Sequence, residues 1–341
     1  MTVRIKAAIL RKTGEPLSVE NVTHTPVKFG QLLVRIIYTG ICRSQLMEQQ
    51  GKRGIDKWLP HLLGHEGLGE VLEIGTGVTK CKVGDKVVIS WIQGTGIEAE
   101  NPTYLDDAGL RINSGKVTTF STHSVISENR IFLAPEGFPD HILPLFGCAL
   151  LTGGGMALKY GMVSKDANIC ILGFGGIGSA AALVLKGMKN KNFDVVDQGQ
   201  DKLVLANKLG FTNTFTSIEM TGRKYDLVIE STGSVQGIQS GFECLSDSGV
   251  IVFASHPEEG KRISLNPHEL IKGKRIFGTW GGDVEPDSDI QRIAKFLLAS
   301  GSNLELLLGE IFSIDEVNQA LAYLDSGKPG RPLLEINGDF K

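Results

Sequence analysis

A glycine-rich segment is the part of the sequence whose residue spacing most clearly indicates a binding site. Its glycines at 173, 175 and 178 fit the pattern G-x-G-x-x-G. The pattern follows an apolar run that predicts a strand, and it opens a segment in helical register. Here Gly173 permits a tight turn, Gly175 lets the backbone approach a pyrophosphate, and Gly178 allows close packing of helix and sheet. The segment Ser179–Met188 that follows is predicted to be a helix, and the N–H groups at its N-terminus attract an anion. The segment predicts a dinucleotide-binding loop; a packing turn without a ligand is the alternative.

An acidic residue, Asp197, follows the next predicted strand, 19 residues after Gly178. A carboxylate at this position accepts hydrogen bonds from the ribose hydroxyls of NAD and repels the 2′-phosphate of NADP. Lys202 lies nearby in the sequence, but a single lysine is too weak a phosphate receptor to reverse this preference. We therefore predict NAD as the coenzyme, with a merely solvated strand end as the alternative for Asp197.

Three short motifs in the first half, G-I-C-R-S, G-H-E-G-L-G and G-C, contain Cys42, His65 and Cys148. Zinc prefers cysteine and histidine ligands, and three protein ligands with one open position are typical of a catalytic site. The separations of 23 and 83 residues follow no local geometric rule. Spacing alone therefore leaves open that Cys42 is a buried apolar residue and that His65 belongs to the core.

The elements that must position these motifs differ between the two halves of the chain. Up to about residue 150, short apolar runs bounded by glycine, proline or charged turns indicate β-structure. From about residue 152, strands alternate with helices, which predicts a parallel doubly wound sheet and an α/β fold. The segment 91–116 is polar and rich in glycine and aspartate, and it predicts a long loop or a small excursion.

Composition excludes several classes of function. The 341 residues contain 35 Lys and Arg and 38 Asp and Glu, a net charge of −3, so there is no basic field for nucleic acid or an anionic membrane. The apolar stretch from Cys170 to Leu185 is shorter than the roughly 20 residues that a membrane helix needs. Five scattered cysteines and no secretory signal lead us to expect a cytoplasmic protein with reduced thiols.

Together, the glycine loop and the cysteine and histidine motifs resemble the zinc-dependent alcohol dehydrogenases of the medium-chain dehydrogenase/reductase family. The resemblance runs from residues 6–8 to residues 330–334 and keeps the order of the motifs. It implies a GroES-like, β-rich catalytic domain formed by residues 1–151 and 284–341. It also implies a Rossmann NAD-binding domain, with a doubly wound parallel sheet, at residues 152–283.

The resemblance also implies roles for single residues. Cys42, His65 and Cys148 would bind one catalytic zinc ion, Glu66 would be the carboxylate beside it, and Ser44 would receive the proton of the substrate. The coenzyme would be bound by two arginines at its pyrophosphate and by a threonine near its nicotinamide. The glycine loop, the aspartate at the end of the next strand, a neighbouring lysine and a threonine in a later turn would complete the site. These residues are Arg43, Arg331, Thr152, Gly173, Gly175, Gly176, Ile177, Gly178, Asp197, Lys202 and Thr232.

The implied reaction is hydride transfer between an alcohol and NAD, giving an aldehyde or ketone. Charges in the loop 49–59 indicate a polar, partly basic rim, which favours a polyol, sugar or phosphorylated compound over a long-chain alcohol as the small-molecule substrate. A merely solvated surface is the alternative for these charges. The family resemblance further implies a homodimer or homotetramer. From the charge balance we expect neither nucleic acid nor a membrane as a partner.

The sequence also departs from the family pattern. Segment 91–116 has no cysteine where the family places four that bind a structural zinc, so we expect one zinc ion only. Gln45 replaces the usual aspartate that orients the ligand histidine, and an amide makes the imidazole a weaker electron donor. Met47 replaces the histidine that completes the proton relay in some members. His61 is a possible substitute, although a structural role is favoured.

Two other functions compete with this interpretation. One is a metal-free quinone or enone reductase of the same family, a branch that lacks the cysteine and histidine ligands and often prefers NADP. The other is a non-catalytic NAD-binding scaffold or sensor, supported only by the changes at Gln45 and Met47. The intact ligand set favours the enzyme.

Overall fold

A computed structural model describes residues 3–164, 166–190 and 193–337 of the chain. The chain divides into two compact units, Met1–Cys148 with Leu308–Lys341, and Ala149–Leu307. These limits differ from the domain boundaries predicted above, because residues 284–307 belong to the second unit rather than to the first. The assignment of residues 1–151 and 284–341 to a catalytic domain and of residues 152–283 to an NAD-binding domain stays a prediction.

The secondary structure consists of 18 strands and eight α-helices within the described residues. In chain order the strands are β1 Arg4–Leu10, β2 Ser18–His24, β3 Gln31–Gly40, β4 His61–Leu62, β5 Glu66–Ile74, β6 Lys86–Ser90, β7 Tyr104–Asp106, β8 Arg111–Ile112, β9 His123–Ser127, β10 Ile131–Leu133, β11 Ile169–Leu172, β12 Phe193–Val196, β13 Thr214–Phe215, β14 Tyr225–Glu230, β15 Leu245–Phe253, β16 Arg275–Gly278, β17 Leu308–Ser313 and β18 Arg331–Glu335. The α-helices are α1 Arg43–Gln49, α2 Ala149–Tyr160, α3 Gly176–Gly187, α4 Gln200–Lys208, α5 Val235–Glu243, α6 Pro267–Lys272, α7 Pro286–Ala299 and α8 Val317–Asp325.

The first unit is built from two sheets. One has the strand order β4-β1-β2-β7-β8, and the other has the order β10-β6-β5-β3-β18-β17, with β9 also paired to β3. The end of the chain enters the second of these sheets, because β18 pairs antiparallel with β3 and places Leu333 opposite Gly40. This pairing brings Arg331, the first residue of β18, close to the segment that follows β3.

The second unit contains a six-stranded sheet in the order β13-β12-β11-β14-β15-β16, and all of its pairs are parallel. Its central strand β11 is fully apolar and buried, as expected for a strand covered by helices on both faces. The predicted fold class, a β-rich domain plus a doubly wound parallel sheet, is thereby confirmed.

Helix α7 explains why residues 284–307 belong to the second unit. Its apolar stripe, Ile290, Ile293 and Leu297, is buried. A Cβ at Gly187, the last residue of α3, would lie 2.0 Å from the carbonyl oxygen of Phe296, so the backbones of α3 and α7 are in direct contact. Periodicity predicts that such a helix is amphipathic, but not which partner covers its apolar face.

No helix in the described part of the chain is long and apolar enough to cross a membrane.

Candidate active site

Three ligand atoms of the first unit converge. The sulfurs of Cys42 and Cys148 and a ring nitrogen of His65 lie within 4.8 Å of one another. Cys42 is the N-cap of α1, His65 immediately precedes β5, and Cys148 follows a 3-10 turn at Leu143–Gly147. Strand pairing across β3, β5 and β6 therefore brings together residues that are far apart in sequence.

The nitrogen His65 Nε2 is the atom that best tests whether a metal fits this cluster. It is buried, and it has no hydrogen-bond partner among the residues that the structure describes. A buried polar atom without a partner costs about 1–3 kcal/mol. Two thiols and one imidazole are a donor set that suits zinc. The residues present therefore fit a zinc ion.

Gln45 links two members of the cluster. Its Oε1 accepts a hydrogen bond from the Cys42 backbone N–H at 2.8 Å, and its Nε2 makes a very short contact with His65 Nδ1. Ligation through His65 Nε2 requires the ring hydrogen on Nδ1, and therefore an acceptor that faces Nδ1. On Gln45 only the amide oxygen, which already accepts from Cys42, could be that acceptor. The Ser44 hydroxyl oxygen, 3.4 Å from Nδ1, is another acceptor within reach. A carboxylate at position 45 could serve both the Cys42 N–H and His65 Nδ1 with separate oxygens.

The two cysteines affect each other's charge. A hydrogen bond from Cys148 lowers the pKa of Cys42, and the positive charge of Arg331 adds to this effect against the cost of burial. The pKa of Cys148 is raised, because it donates that hydrogen bond and is buried near the Cys42 thiolate and Glu66. The pairing of the two cysteines thus lowers the pKa of Cys42 and raises the pKa of Cys148.

Arg331 and Glu66 form a buried ion pair beside the thiols. Arg331 Nη1 lies 3.3 Å from Glu66 Oε1, and it also donates to the backbone oxygen of Ile41 at 3.3 Å. Burial alone would lower the pKa of Arg331, but Glu66, Cys42 and Cys148 raise it. Arg331 thus compensates the negative charge of the cluster. Its predicted contact with the coenzyme pyrophosphate stays a prediction.

The remaining predicted residues of the first unit lie on α1. The hydroxyl oxygen of Ser44 is 3.4 Å from His65 Nδ1, and the side chain is half-buried. Arg43 is exposed at the first position of the helix. Both ring nitrogens of His61 are engaged, Nδ1 with the Leu62 carbonyl oxygen and Nε2 with Asp56 Oδ2, each at 2.8 Å. These contacts favour the structural interpretation of His61.

Segment 91–116 carries an ion-pair network that sequence reasoning missed. Glu98 pairs with Lys116 at 2.9 Å and with Arg130 at 3.2 Å, and it accepts a hydrogen bond from Asn129. Arg130 also donates to the backbone oxygen of Trp91, whose ring contacts His65 edge-on at a centroid distance of 6.4 Å. A charge network therefore anchors the start of this segment beside the cysteine and histidine cluster.

In the second unit, the glycine loop has the geometry that its motif predicts. Gly173 has a φ of +92°, in the left-handed region, and a Cβ at Gly178 would lie only 1.9 Å from the Gly173 oxygen. A Cβ at Gly175, the N-cap of α3, would meet no atom within 4 Å. Gly173 and Gly178 are thus required by the fold, whereas Gly175 leaves the surface in front of the helix N-terminus open.

Asp197 follows β12 and supports the glycine loop directly. Its Oδ2 accepts a hydrogen bond from the Phe174 N–H at 2.7 Å, and its Oδ1 accepts one from the Gly199 N–H at 2.8 Å. Lys202 Nζ lies 3.5 Å from Oδ2. Each carboxylate oxygen can accept a second hydrogen bond, so the carboxylate can still receive ribose hydroxyls.

Two predicted threonines also belong to the second unit. Thr152 is buried within α2. Thr232 follows β14, and both its N–H and its hydroxyl donate to Glu230 Oε1, the first at 2.7 Å. Sequence analysis missed Glu230; the available signal was an acidic residue ending the buried strand Y-D-L-V-I-E.

Comparison with known families assigns the chain. The family model "Alcohol dehydrogenase GroES-like domain" matches residues 28–136, and "Zinc-binding dehydrogenase" matches residues 176–299. The chain belongs to the zinc-type alcohol dehydrogenases of the medium-chain dehydrogenase/reductase family. Segment 91–116 of the chain contains no cysteine.

Individual relatives agree with this assignment. "Alcohol dehydrogenase 6" of Peromyscus maniculatus is 26% identical and covers 96% of both chains. "S-(hydroxymethyl)glutathione dehydrogenase" of Synechocystis sp. is 25% identical over 97% of this chain and 100% of its own. The crystal structure of benzyl alcohol dehydrogenase from Acinetobacter calcoaceticus has a TM-score of 0.85 at 25% identity, covering 98% and 99% of the two chains. The chain is therefore similar to dehydrogenases along its whole length.

Proposed function

We propose that this chain is an NAD-dependent alcohol dehydrogenase that binds one zinc ion through Cys42, His65 and Cys148. Two observations on His65 carry the proposal. Its buried Nε2 lacks a partner among the described residues, and a ring nitrogen of His65 lies within 4.8 Å of two thiol sulfurs. Arg331 supports the same conclusion, because its positive charge lies beside Glu66 and lowers the pKa of Cys42.

When bound, zinc supplies a Lewis acid for the alcohol oxygen, and NAD supplies the acceptor of the hydride. The chain contributes the groups around these two. Ser44 Oγ would accept the hydrogen bond of the substrate hydroxyl, and as it takes that proton it would pass its own hydroxyl hydrogen on. Met47 has no group that could carry the proton further, so from Ser44 we expect it to leave through the coenzyme ribose to water or to another base.

The second unit would bind the coenzyme. The open surface at Gly175 and the N-terminus of α3 would receive the pyrophosphate. Asp197 would accept ribose hydroxyls and repel a 2′-phosphate, so we propose NAD rather than NADP. Lys202 would approach the same ribose, and Arg43, Thr152 and Thr232 would complete the coenzyme contacts.

The substrate proposal rests on loop 49–59. Lys52, Arg53 and Lys57 are exposed there, and Arg53 Nη1 lies 3.6 Å from a Glu48 oxygen. A rim with these charges favours polyols or sugar-type alcohols over long-chain aliphatic alcohols. We further propose a homodimer or homotetramer, for which sedimentation of the purified protein is the direct measurement.

Turnover and zinc content in matched variants test the proposal. NADH formation is followed with aliphatic, benzylic and polyol substrates, using NAD and NADP in parallel. Cys42→Ser should abolish turnover and lower the zinc content while NADH binding persists. Cys81→Ser is the control, because Cys81 is a half-buried cysteine outside the cluster.

The outcomes separate the competing functions. Full turnover of Cys42→Ser would refute the zinc mechanism. Reduction of quinones or enones by protein without zinc would support the metal-free reductase. Tight NADH binding without turnover of any substrate would support a scaffold or sensor.

A further inference from the structure

Glu230 ends β14 at the point where the strand order of the parallel sheet reverses. β14 and β11 are adjacent, and Leu172 and Glu230 are register partners at their carboxyl ends. In open parallel sheets, dinucleotides bind in the crevice outside the carboxyl ends of the strands at this switch point. Glu230 is therefore an ionisable group at the edge where the topology of the sheet places a coenzyme.

Glu230 is surrounded by apolar neighbours on the adjacent strands and by neutral hydroxyl groups of the turn that follows it. The residue is fully buried, and in register it lies beside Leu172 of β11 and Phe253 of β15. Gly237 of α5 packs so closely that a Cβ added at this position would lie 2.8 Å from Glu230 Oε1. No charged side chain within the described ranges forms an ion pair with Glu230. Burial raises the pKa of Glu230 to about 7, against the opposing hydrogen bonds from Thr232.

The two oxygens of the carboxyl group have different roles. Oε1 accepts hydrogen bonds from the N–H and the hydroxyl of Thr232. Oε2 is buried and has no partner in the part of the chain that the structure describes. A proton taken up by Glu230 therefore has its place on Oε2, whereas Oε1 remains the acceptor that holds Thr232.

The turn that Glu230 holds packs directly on the glycine loop. The N–H nitrogen of Thr232 lies 2.8 Å from the position of a Gly173 Cβ. The hydroxyl of Ser231 donates to the Gly173 carbonyl oxygen at 2.8 Å, and the Ser231 N–H donates to the Leu172 oxygen at the same distance. Any loosening of residues 231–233 is thus transmitted to the loop that would bind the pyrophosphate.

We propose that Glu230 is a positioning residue whose protonation loosens the 231–233 turn against the glycine loop, so that coenzyme binds more tightly when Glu230 is ionised. The inference rests on the proposed function, because it concerns NAD binding at the same loop. A carboxylate makes charge-assisted hydrogen bonds that are roughly twice as strong as those of a neutral carboxyl group. The affinities for NAD and for NADH should both depend on the ionisation of Glu230, since the effect acts through the glycine loop that would bind the pyrophosphate of either coenzyme.

The test is the pH dependence of coenzyme affinity. The Kd of NADH is measured by fluorescence titration of the full chain between about pH 6 and about pH 8, at constant ionic strength. For the unmodified protein we expect Kd to fall by up to about five-fold as pH rises, which corresponds to about one neutral hydrogen bond. Glu230→Gln keeps the shape and the Oε1 acceptor but cannot ionise, so its Kd should not vary in this way.

Two further variants make the test specific. Glu243→Gln alters an exposed carboxyl group at the end of α5 and should keep the pH dependence of the unmodified protein. Thr232→Val removes the hydroxyl donor and should weaken the pH dependence, which keeps the inference testable if Glu230→Gln does not fold. A purely structural role would change Kd equally at every pH.

A pH dependence that persists in Glu230→Gln, or an unmodified protein whose NADH affinity is flat, would overturn the inference while leaving the proposed function intact. Absence of NADH binding at every pH would overturn the proposed function and this inference together.

Discussion

Substitutions at two glycines of the glycine loop, Gly178 and Gly175, should have different effects on stability and on coenzyme affinity. A Cβ at Gly178 would lie 1.9 Å from the Gly173 carbonyl oxygen and 2.7 Å from Ser231 Oγ. Because a backbone atom cannot move as a side chain can, Gly178→Ala must push α3 away from the end of β11. Overpacking of this kind costs about 1–3 kcal/mol. We expect the upper part of that range, together with weaker coenzyme binding.

Gly175→Ser is the matched substitution without a clash. A Cβ there meets no atom within 4 Å, the φ of −86° is ordinary, and serine is a favourable N-cap residue. Its free energy of unfolding should therefore change by less than about 0.5 kcal/mol. The side chain would nevertheless occupy the space that a pyrophosphate needs. Loss of one or two charge-assisted hydrogen bonds predicts at least an approximately ten-fold higher Kd for NADH.

Urea unfolding and NADH fluorescence titration on the same protein samples provide both quantities. Gly178→Ala should lose stability and affinity together, whereas Gly175→Ser should lose affinity alone. Unchanged NADH affinity in Gly175→Ser would refute the assignment of this loop to the pyrophosphate. Unchanged stability in Gly178→Ala would refute the argument from close packing.

Two further predictions concern the polar groups of the two units. Gln45→Glu supplies separate oxygens to the Cys42 N–H and to His65 Nδ1, so zinc affinity should rise about ten-fold in competition with a chelator; an equal or lower affinity would contradict this argument. For Glu230, the folded chain binds the proton more tightly than the unfolded chain, because burial raises the pKa from 4.5 to about 7. The resulting stabilisation is complete below about pH 4.5 and is lost as pH rises through about 7. Relative to Glu230→Gln, the unmodified protein should lose up to about 3 kcal/mol of unfolding free energy between pH 5 and pH 8, and parallel pH profiles of the two proteins in urea would contradict this.

The second unit was the more predictable part of the fold. Its strands and helices alternate along the sequence. The glycines of the loop 173–178 predict a turn, the start of a helix and the close packing of that helix on the sheet. The boundary between the two units at residues 307 and 308 was not predictable, because the amphipathic pattern of α7 does not specify which surface covers its apolar face. The topology that places Glu230 at the switch point likewise arises only from long-range strand pairing.

The cysteine and histidine cluster was predictable only through family resemblance. Cys42, His65 and Cys148 meet because β3, β5 and β6 pair across long sequence separations, and no local pattern encodes that pairing. The position of Gln45 between the Cys42 N–H and the His65 ring and the ion pairs of Glu98 depend on side-chain geometry. Neither could be inferred from residue types.

Zinc content is the measurement that tests the central claim most directly. Elemental analysis of protein purified without chelators should give about one zinc ion per chain, as expected for a single three-ligand site. His65→Ala should reduce that value to nearly zero and still bind NADH, whereas Cys81→Ser should retain the metal. Protein that binds NADH but no zinc, or His65→Ala protein that keeps its zinc, would contradict the assignment of Cys42, His65 and Cys148 as the metal site.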